Sequence, residues 1–244
     1  MKWFYHLFPK DLKISVYGRG WWFYTILTIL GLFILTIFGN RLPDVNSRLK
    51  LVLILSIIEY IVLRLYKFSL RNIRTDYNYF NELPCYLCNQ STILCIIAAY
   101  FNCKEIMVFV IIIGTLGASL AWFFPDSYNR DQPFYSIQAL GFYGYHGLLI
   151  ITCLSFYTLH IYKPDPKDCL WVMFMIFILA IIAHIINVIL IKTKLNPRSN
   201  YVYTVKPEVA FLKKLWSFIP HQLIYLLPIM FIFGAFSFLL LLIM

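Results

Sequence analysis

The stretch Cys169–Ile191, CLWVMFMIFILAIIAHIINVILI, contains no Asp, Glu, Lys or Arg. At a helical rise of about 1.5 Å per residue it is long enough to cross roughly 30 Å of hydrocarbon. In lipid every backbone amide has to be paired inside its own segment, so a run of this kind reads as a spanning helix and not as a strand. Outward from it, comparable apolar runs recur at about 21–39, 49–66, 84–101, 106–124, 142–162 and 221–243. The expected fold class is therefore all-α: a polytopic membrane helical bundle of seven transmembrane helices, forming a single integral membrane domain over 1–244.

Composition agrees. Hydrophobic residues make up 61% of the chain and charged residues 13%, with a mean hydropathy of +0.75. An ordinary soluble domain has roughly 45–50% and 25%. The segment before the first run carries Lys2, Lys10, Asp11, Lys13 and Arg19, with no small-residue cleavage site after the run, so no removable signal peptide is expected. The formal charge of +10 has no soluble domain to display it, which argues against nucleic acid and for anionic lipid headgroups. Of the six cysteines, Cys85, Cys88, Cys95 and Cys153 fall inside apolar runs, where free buried thiols are the ordinary state. Cys85 and Cys88 form one CxxC without a second pair or histidines at ligand spacing, so neither a metal nor a cofactor is expected.

Short polar breaks at Gly39-Asn40, Asn102 and Lys163–Pro166 join some runs tightly, whereas 67–83, 125–141 and 192–220 are longer connections. These three and the N-terminal segment fall on one side and, with Arg64 at the adjoining end of the second run, carry 15 of the 21 Lys and Arg residues, leaving 6 opposite. The positive-inside rule then puts the N-terminus in the cytoplasm of, by expectation, a bacterial cell. No internal repeat divides the chain into transporter-like halves.

Ionisable groups inside spans are expensive and usually mark an internal pair or a function. Glu59 and Arg64 are five apart on the second run, too far round the helix to pair, so Glu59 needs a partner on another helix. Arg64 lies near the helix end, where it snorkels toward headgroups. His184 and Asn187, at i and i+3 on the sixth run, suit interhelical hydrogen bonding. The third run opens unusually polar, Pro84-Cys85-Tyr86-Leu87-Cys88-Asn89-Gln90-Ser91-Thr92, with Cys85, Cys88, Thr92 and Cys95 on one helical stripe. His146, near the start of the fifth run, shares a face with Cys153. The third, fifth and seventh runs enter from the same side, so Cys85, Cys88, His146 and His221 lie at similar depth. A thiol within reach of an imidazole is the minimum equipment for nucleophilic acyl chemistry. Glu59 is a candidate to orient the histidine, and simple helix packing accounts for each of these residues taken singly.

At these residues the chain resembles the transmembrane protein 164 acyltransferases of animals and the bacterial YwaF-like integral membrane proteins. Leu83-Pro84-Cys85-Tyr86-Leu87-Cys88 is similar to the Leu-Pro-Leu-His-Leu-Cys block of the bacterial branch and, through Pro84-Cys85, to the Pro-Cys-His block of the animal branch. Gly114-Thr115-Leu116-Gly117-Ala118 with Phe124-Pro125-Asp126, then Tyr145-His146-Gly147, Asn196, Asn200-Tyr201 and His221-Gln222, continue the resemblance in order. Tyr86 departs from it, standing where both branches favour histidine.

The resemblance implies an enzyme that moves a fatty acyl group between membrane phospholipids, with Cys85 as nucleophile and His146 as base; Cys88 is the alternative thiol, and Glu59, from its depth in the second run, completes the expected catalytic set. Arg64, Asn89, Asp126, His184, Asn200, Tyr201, His221 and Gln222 are the expected substrate-binding residues. The alternative is a non-catalytic lipid-binding or transporter-like bundle in which Glu59, Arg64 and His184 line a path.

Overall fold

A computed structural model describes residues 12–71, 77–125 and 132–243. Among them are eight helices: α1 (Arg19–Gly39), α2 (Val45–Leu70), α3 (Leu87–Phe101), α4 (Lys104–Phe123), α5 (Ile137–Thr158), α6 (Cys169–Lys192), α7 (Ala210–Phe218) and α8 (Leu227–Ile243). Two-residue strands, β1 (Lys13–Ile14) and β2 (Gln132–Pro133), pair antiparallel. The molecule is a helical membrane bundle with almost no sheet.

Five helical segments are long and apolar enough to span: Arg19–Gly39, Lys104–Phe123, Ile137–Thr158, Pro166–Lys192 and Ile224–Ile243. The other two expected spans differ for identifiable reasons. α2 has the length, at 26 residues, but carries Arg48, Lys50, Glu59, Arg64 and Lys67 along it. α3 has only 15 residues, about 22 Å at the helical rise, and begins at Leu87 rather than Pro84.

Local chemistry sets the helix ends. Asp44 caps α2 by accepting from the Ser47 amide at 2.8 Å, and Ser136 caps α5 by accepting from Ala139 at 3.0 Å. Asp165 and Asp168 form a capping box around Pro166 at the approach to α6. α7 stops at Phe218 because Pro220 excludes Ile219 from the helical region.

Packing separates two units: residues up to 71 with Ser91–Tyr162, and residues 77–90 with 163–243. In the first, α5 is the axis, packed by α1, α2 and α4, and two thirds of its spanning stretch is buried against 11% of that of α1. Two glycines let neighbours approach α5. A Cβ on Gly141 would lie 2.0 Å from the Tyr66 ring of α2, and one on Gly147 would lie 2.5 Å from Thr28 Oγ1 of α1. α4 carries a fully buried π-helical turn, Val110–Gly114, where a Cβ on Gly114 would lie 2.7 Å from Cys153 Sγ. Arg48 ties one end of this unit together by donating to the carbonyls of Leu159 at 2.9 Å and Leu42 at 3.3 Å.

The second unit packs α6 against α8, with Gly234 seated on Met173, and docks the 77–90 segment and the 195–204 loop beside α6. Large apolar side chains left exposed, such as Phe33 and Ile34 on α1 and Phe231 and Ile232 on α8, face outward as a lipid-facing surface requires.

Candidate functional site

Two buried polar clusters stand out from the apolar bundle, one in each unit. In the first, Glu59 of α2 is completely buried and accepts from Thr92 Oγ1 of α3 at 2.5 Å. Thr92 also lies 2.9 Å from the Tyr145 hydroxyl of α5, and Thr152 on the same face of α5 offers its hydroxyl to the Glu59 carboxyl. The partners that the sequence required of Glu59 are therefore hydroxyls from two other helices. Beside them Cys95 Sγ and Cys153 Sγ, both 0% exposed, are 3.6 Å apart across α3 and α5.

His146 sits one residue along α5 from Tyr145, its ring edge-on to the tyrosine at 4.9 Å and against Phe142 at 4.5 Å. Its Nδ1 is 2.7 Å from the Phe142 carbonyl oxygen. A carbonyl only accepts, so Nδ1 carries a proton and donates it. The imidazole is thus oriented by its own helix, while the Glu59 carboxyl is engaged by Thr92 and Thr152.

The second cluster is built on Asn187 of α6, which uses all of its hydrogen-bonding capacity on one loop. Its Oδ1 accepts from Ser199 Oγ at 2.7 Å and the Tyr201 amide at 2.9 Å; its Nδ2 donates to the Tyr201 carbonyl at 3.0 Å and Thr204 Oγ1 at 2.9 Å. His184 Nδ1 is 3.3 Å from the same Thr204 hydroxyl. The expected hydrogen bonding of His184 and Asn187 to another helix is replaced by bonds to this loop. That loop holds Val202 and Tyr203 at φ 54° and 57°, a left-handed conformation costly for a β-branched residue and maintained here by its surroundings. Tyr201 is buried and donates its hydroxyl to the Phe80 carbonyl.

Cys85 belongs to this second cluster. It is 6% exposed and packs with Ala183, Leu190 and Tyr201. It lies on a turn ahead of α3, its amide donating to the Leu83 carbonyl at 2.7 Å, so it is not on a common helical stripe with Cys88, Thr92 and Cys95 as expected. A turn closed by that bond precedes the helix, which begins at Leu87, so the helical period on which that stripe rested does not extend to Cys85. Burial pushes the Cys85 thiol up, which favours the neutral form.

The remaining expected residues fall as follows. Cys88 is half-buried and Asn89 buried at the start of α3, and Arg64 is half-buried on α2. Asn200 is spent on its own loop, with bonds to Lys206, Glu208 and the Val205 amide. His221 and Gln222 are exposed between α7 and α8. Asp126, with Arg130 and Asp131, lies outside the described residues. Sequence reasoning passed over Tyr145, Thr152, Ser199 and Thr204; the one available signal was that Tyr145 and Thr152 are two helical turns apart and so share a face. No group of three or more His, Cys, Asp or Glu side chains suited to a metal occurs among the described residues.

Apolar helices of spanning length enclosing a few buried polar clusters define a multi-pass integral membrane protein. Residues 16–244 match the TMEM164 family, nearly the whole chain, and the protein belongs to that family. No curated protein and no solved structure matches it.

Proposed function

We propose that this protein is a membrane-embedded acyltransferase that moves a fatty acyl group between phospholipids through a thioester on Cys85, with His146 as the base. The observation that supports it most is the orientation of His146. The imidazole is buried in the bundle with Nδ1–H donated to the Phe142 carbonyl, which fixes the ring so that Nε2 is the nitrogen to exchange a proton with a thiol. A buried thiol needs such a base, because its own setting disfavours the thiolate.

In the first half-reaction the Cys85 proton passes to Nε2 and the Sγ–acyl bond forms. The ester bond of the donor phospholipid breaks, and the departing lysophospholipid oxygen takes the proton back. In the second, an acceptor hydroxyl gives its proton to the imidazole, its oxygen bonds the acyl carbon, and the thiol is restored. Cys88 is the second candidate thiol. Arg64 and the basic loops are suited to anionic headgroups, with the N-terminus cytoplasmic.

The test is purified protein in vesicles holding a phospholipid with a labelled acyl chain and an unlabelled lysophospholipid acceptor, followed by lipid mass spectrometry. Transfer is expected from the wild type and at least about a hundredfold less from Cys85→Ala and His146→Ala, as for loss of a nucleophile or its base. A hydroxylamine-labile acyl mass is expected on the peptide containing Cys85. Wild-type transfer by both Cys85→Ala and Cys88→Ala rules out the thioester route. Saturable lipid binding without transfer points to the non-catalytic bundle.

A further inference from the structure

α7 differs in kind from the spanning helices. Its nine residues, AFLKKLWSF, sort into three faces at about 100° per residue. Leu212, Leu215 and Trp216 turn to one side, Phe211 and Phe218 share a second at i and i+7, and Lys213, Lys214 and Ser217 take the third. The first face is the docked one: Leu212 is buried and Leu215 and Trp216 pack with it against Tyr225 and Leu226, the Trp216 and Tyr225 rings meeting edge to face at 5.0 Å. On the second face Phe211 is 55% and Phe218 75% exposed. The two lysines are exposed as well.

Two exposed phenylalanines beside two exposed lysines suit neither water nor hydrocarbon. They suit the boundary between them, where rings enter the acyl layer and ammonium groups stay at headgroup level. The charge of the surrounding connection selects the headgroup. Between Lys192 and Lys214 there are six basic residues and one acidic one, Glu208, which is tethered by Asn200 Nδ2 at 2.8 Å.

We propose that α7 lies in the membrane interface and binds anionic phospholipid, with Lys213 and Lys214 on the headgroup phosphate and Phe211 and Phe218 among the first methylenes of the acyl chains. The occupant is lipid of the bilayer that the chain spans, and the inference is independent of the acyl-transfer chemistry.

The test uses the full-length protein in nanodiscs of phosphatidylcholine alone or with phosphatidylglycerol, reading amide hydrogen exchange over 210–218 and lipid occupancy by native mass spectrometry. Slower exchange in α7, and not in α5, is expected when phosphatidylglycerol is present. Lys213→Gln/Lys214→Gln is expected to weaken phosphatidylglycerol binding roughly thirtyfold at low salt, about fivefold per lysine, and to leave phosphatidylcholine binding unchanged. Phe211→Ser/Phe218→Ser is expected to raise exchange over 210–218 in both lipids. Equal exchange in the two nanodiscs, or full phosphatidylglycerol binding by the lysine variant, overturns the proposal. Inorganic phosphate reproducing the protection in phosphatidylcholine nanodiscs overturns it in favour of a free-anion site.

Discussion

Thr92 on α3 donates a 2.5 Å hydrogen bond to Glu59 on α2, and both side chains are completely buried. The bond joins two helices whose lengths and compositions alone leave them outside the group that meets both spanning criteria. It is therefore a tertiary reason for these helices to stay in the bundle.

Glu59→Gln keeps an acceptor for Thr92 and is expected to change stability by less than about 1 kcal/mol, whereas Glu59→Ala and Thr92→Val each remove one partner of a buried pair and cost roughly 1–3 kcal/mol. Thermal unfolding in one detergent, with the double variant Glu59→Ala/Thr92→Val closing the cycle, measures it. Additive losses would mean that the two side chains do not interact.

Gly141 and Gly144 lie one turn apart on α5 and should respond oppositely to alanine. A Cβ at 141 would meet the Tyr66 ring at 2.0 Å, a contact that cannot be kept, whereas a Cβ at 144 meets nothing within 4 Å. Gly141→Ala is expected to lose about 1–3 kcal/mol by overpacking, and Gly144→Ala to be neutral or slightly stabilising. Equal melting temperatures for the two variants would show that α2 and α5 do not pack as described.

Asn187→Leu strands four partners around one buried amide, two accepting from it and two donating to it, and should loosen the 199–204 loop by at least about 2 kcal/mol. Hydrogen exchange of the Tyr201 amide reports it directly. Tyr201 adds a pH signature. Burial raises its phenol well above the ordinary value of 10.0. The unfolded chain therefore releases this proton first as pH rises, so stability is complete below about pH 10 and falls above it. Tyr201→Phe should lose the bond to Phe80 and, with it, this part of the alkaline sensitivity.

The six free thiols should react in the order of their exposure. Cys88, Cys103 and Cys169 are half-buried and are expected to take up N-ethylmaleimide first, Cys85 slowly, and Cys95 and Cys153 only on unfolding. Peptide mass spectrometry over a time course reads the order. Early labelling of Cys153 would mean that the α3–α5 contact is open in the native protein.

How much of this was legible beforehand depends on the range of the interaction. A 3.6-residue period and an uncharged run such as Cys169–Ile191 carry their own consequence, because lipid leaves an apolar segment no alternative to a helix. The need of Glu59 for a partner on another helix is equally local. The expected thiol stripe failed at Cys85 because a period holds only within a helix, and Cys85 lies on a turn before α3 begins at Leu87. The hydroxyls around Glu59 escaped notice because threonine and tyrosine are unremarkable at any single position in a span.

Sequence alone, then, determined the class: a multi-pass helical membrane protein, the polar residues it must shelter, and the short blocks by which it resembles its family. Tertiary structure alone decided how those residues are shared out. Asn187 gathers the 199–204 loop and Cys85 packs beside that loop, while Glu59 is met by Thr92 and Thr152, and His146 is held by its own helix. The physical reason is that hydrophobicity and helical rise set the depth of a side chain, while its rotation about the helix axis is chosen by which neighbours pack closest, as Gly141 admits Tyr66 and Gly147 admits Thr28.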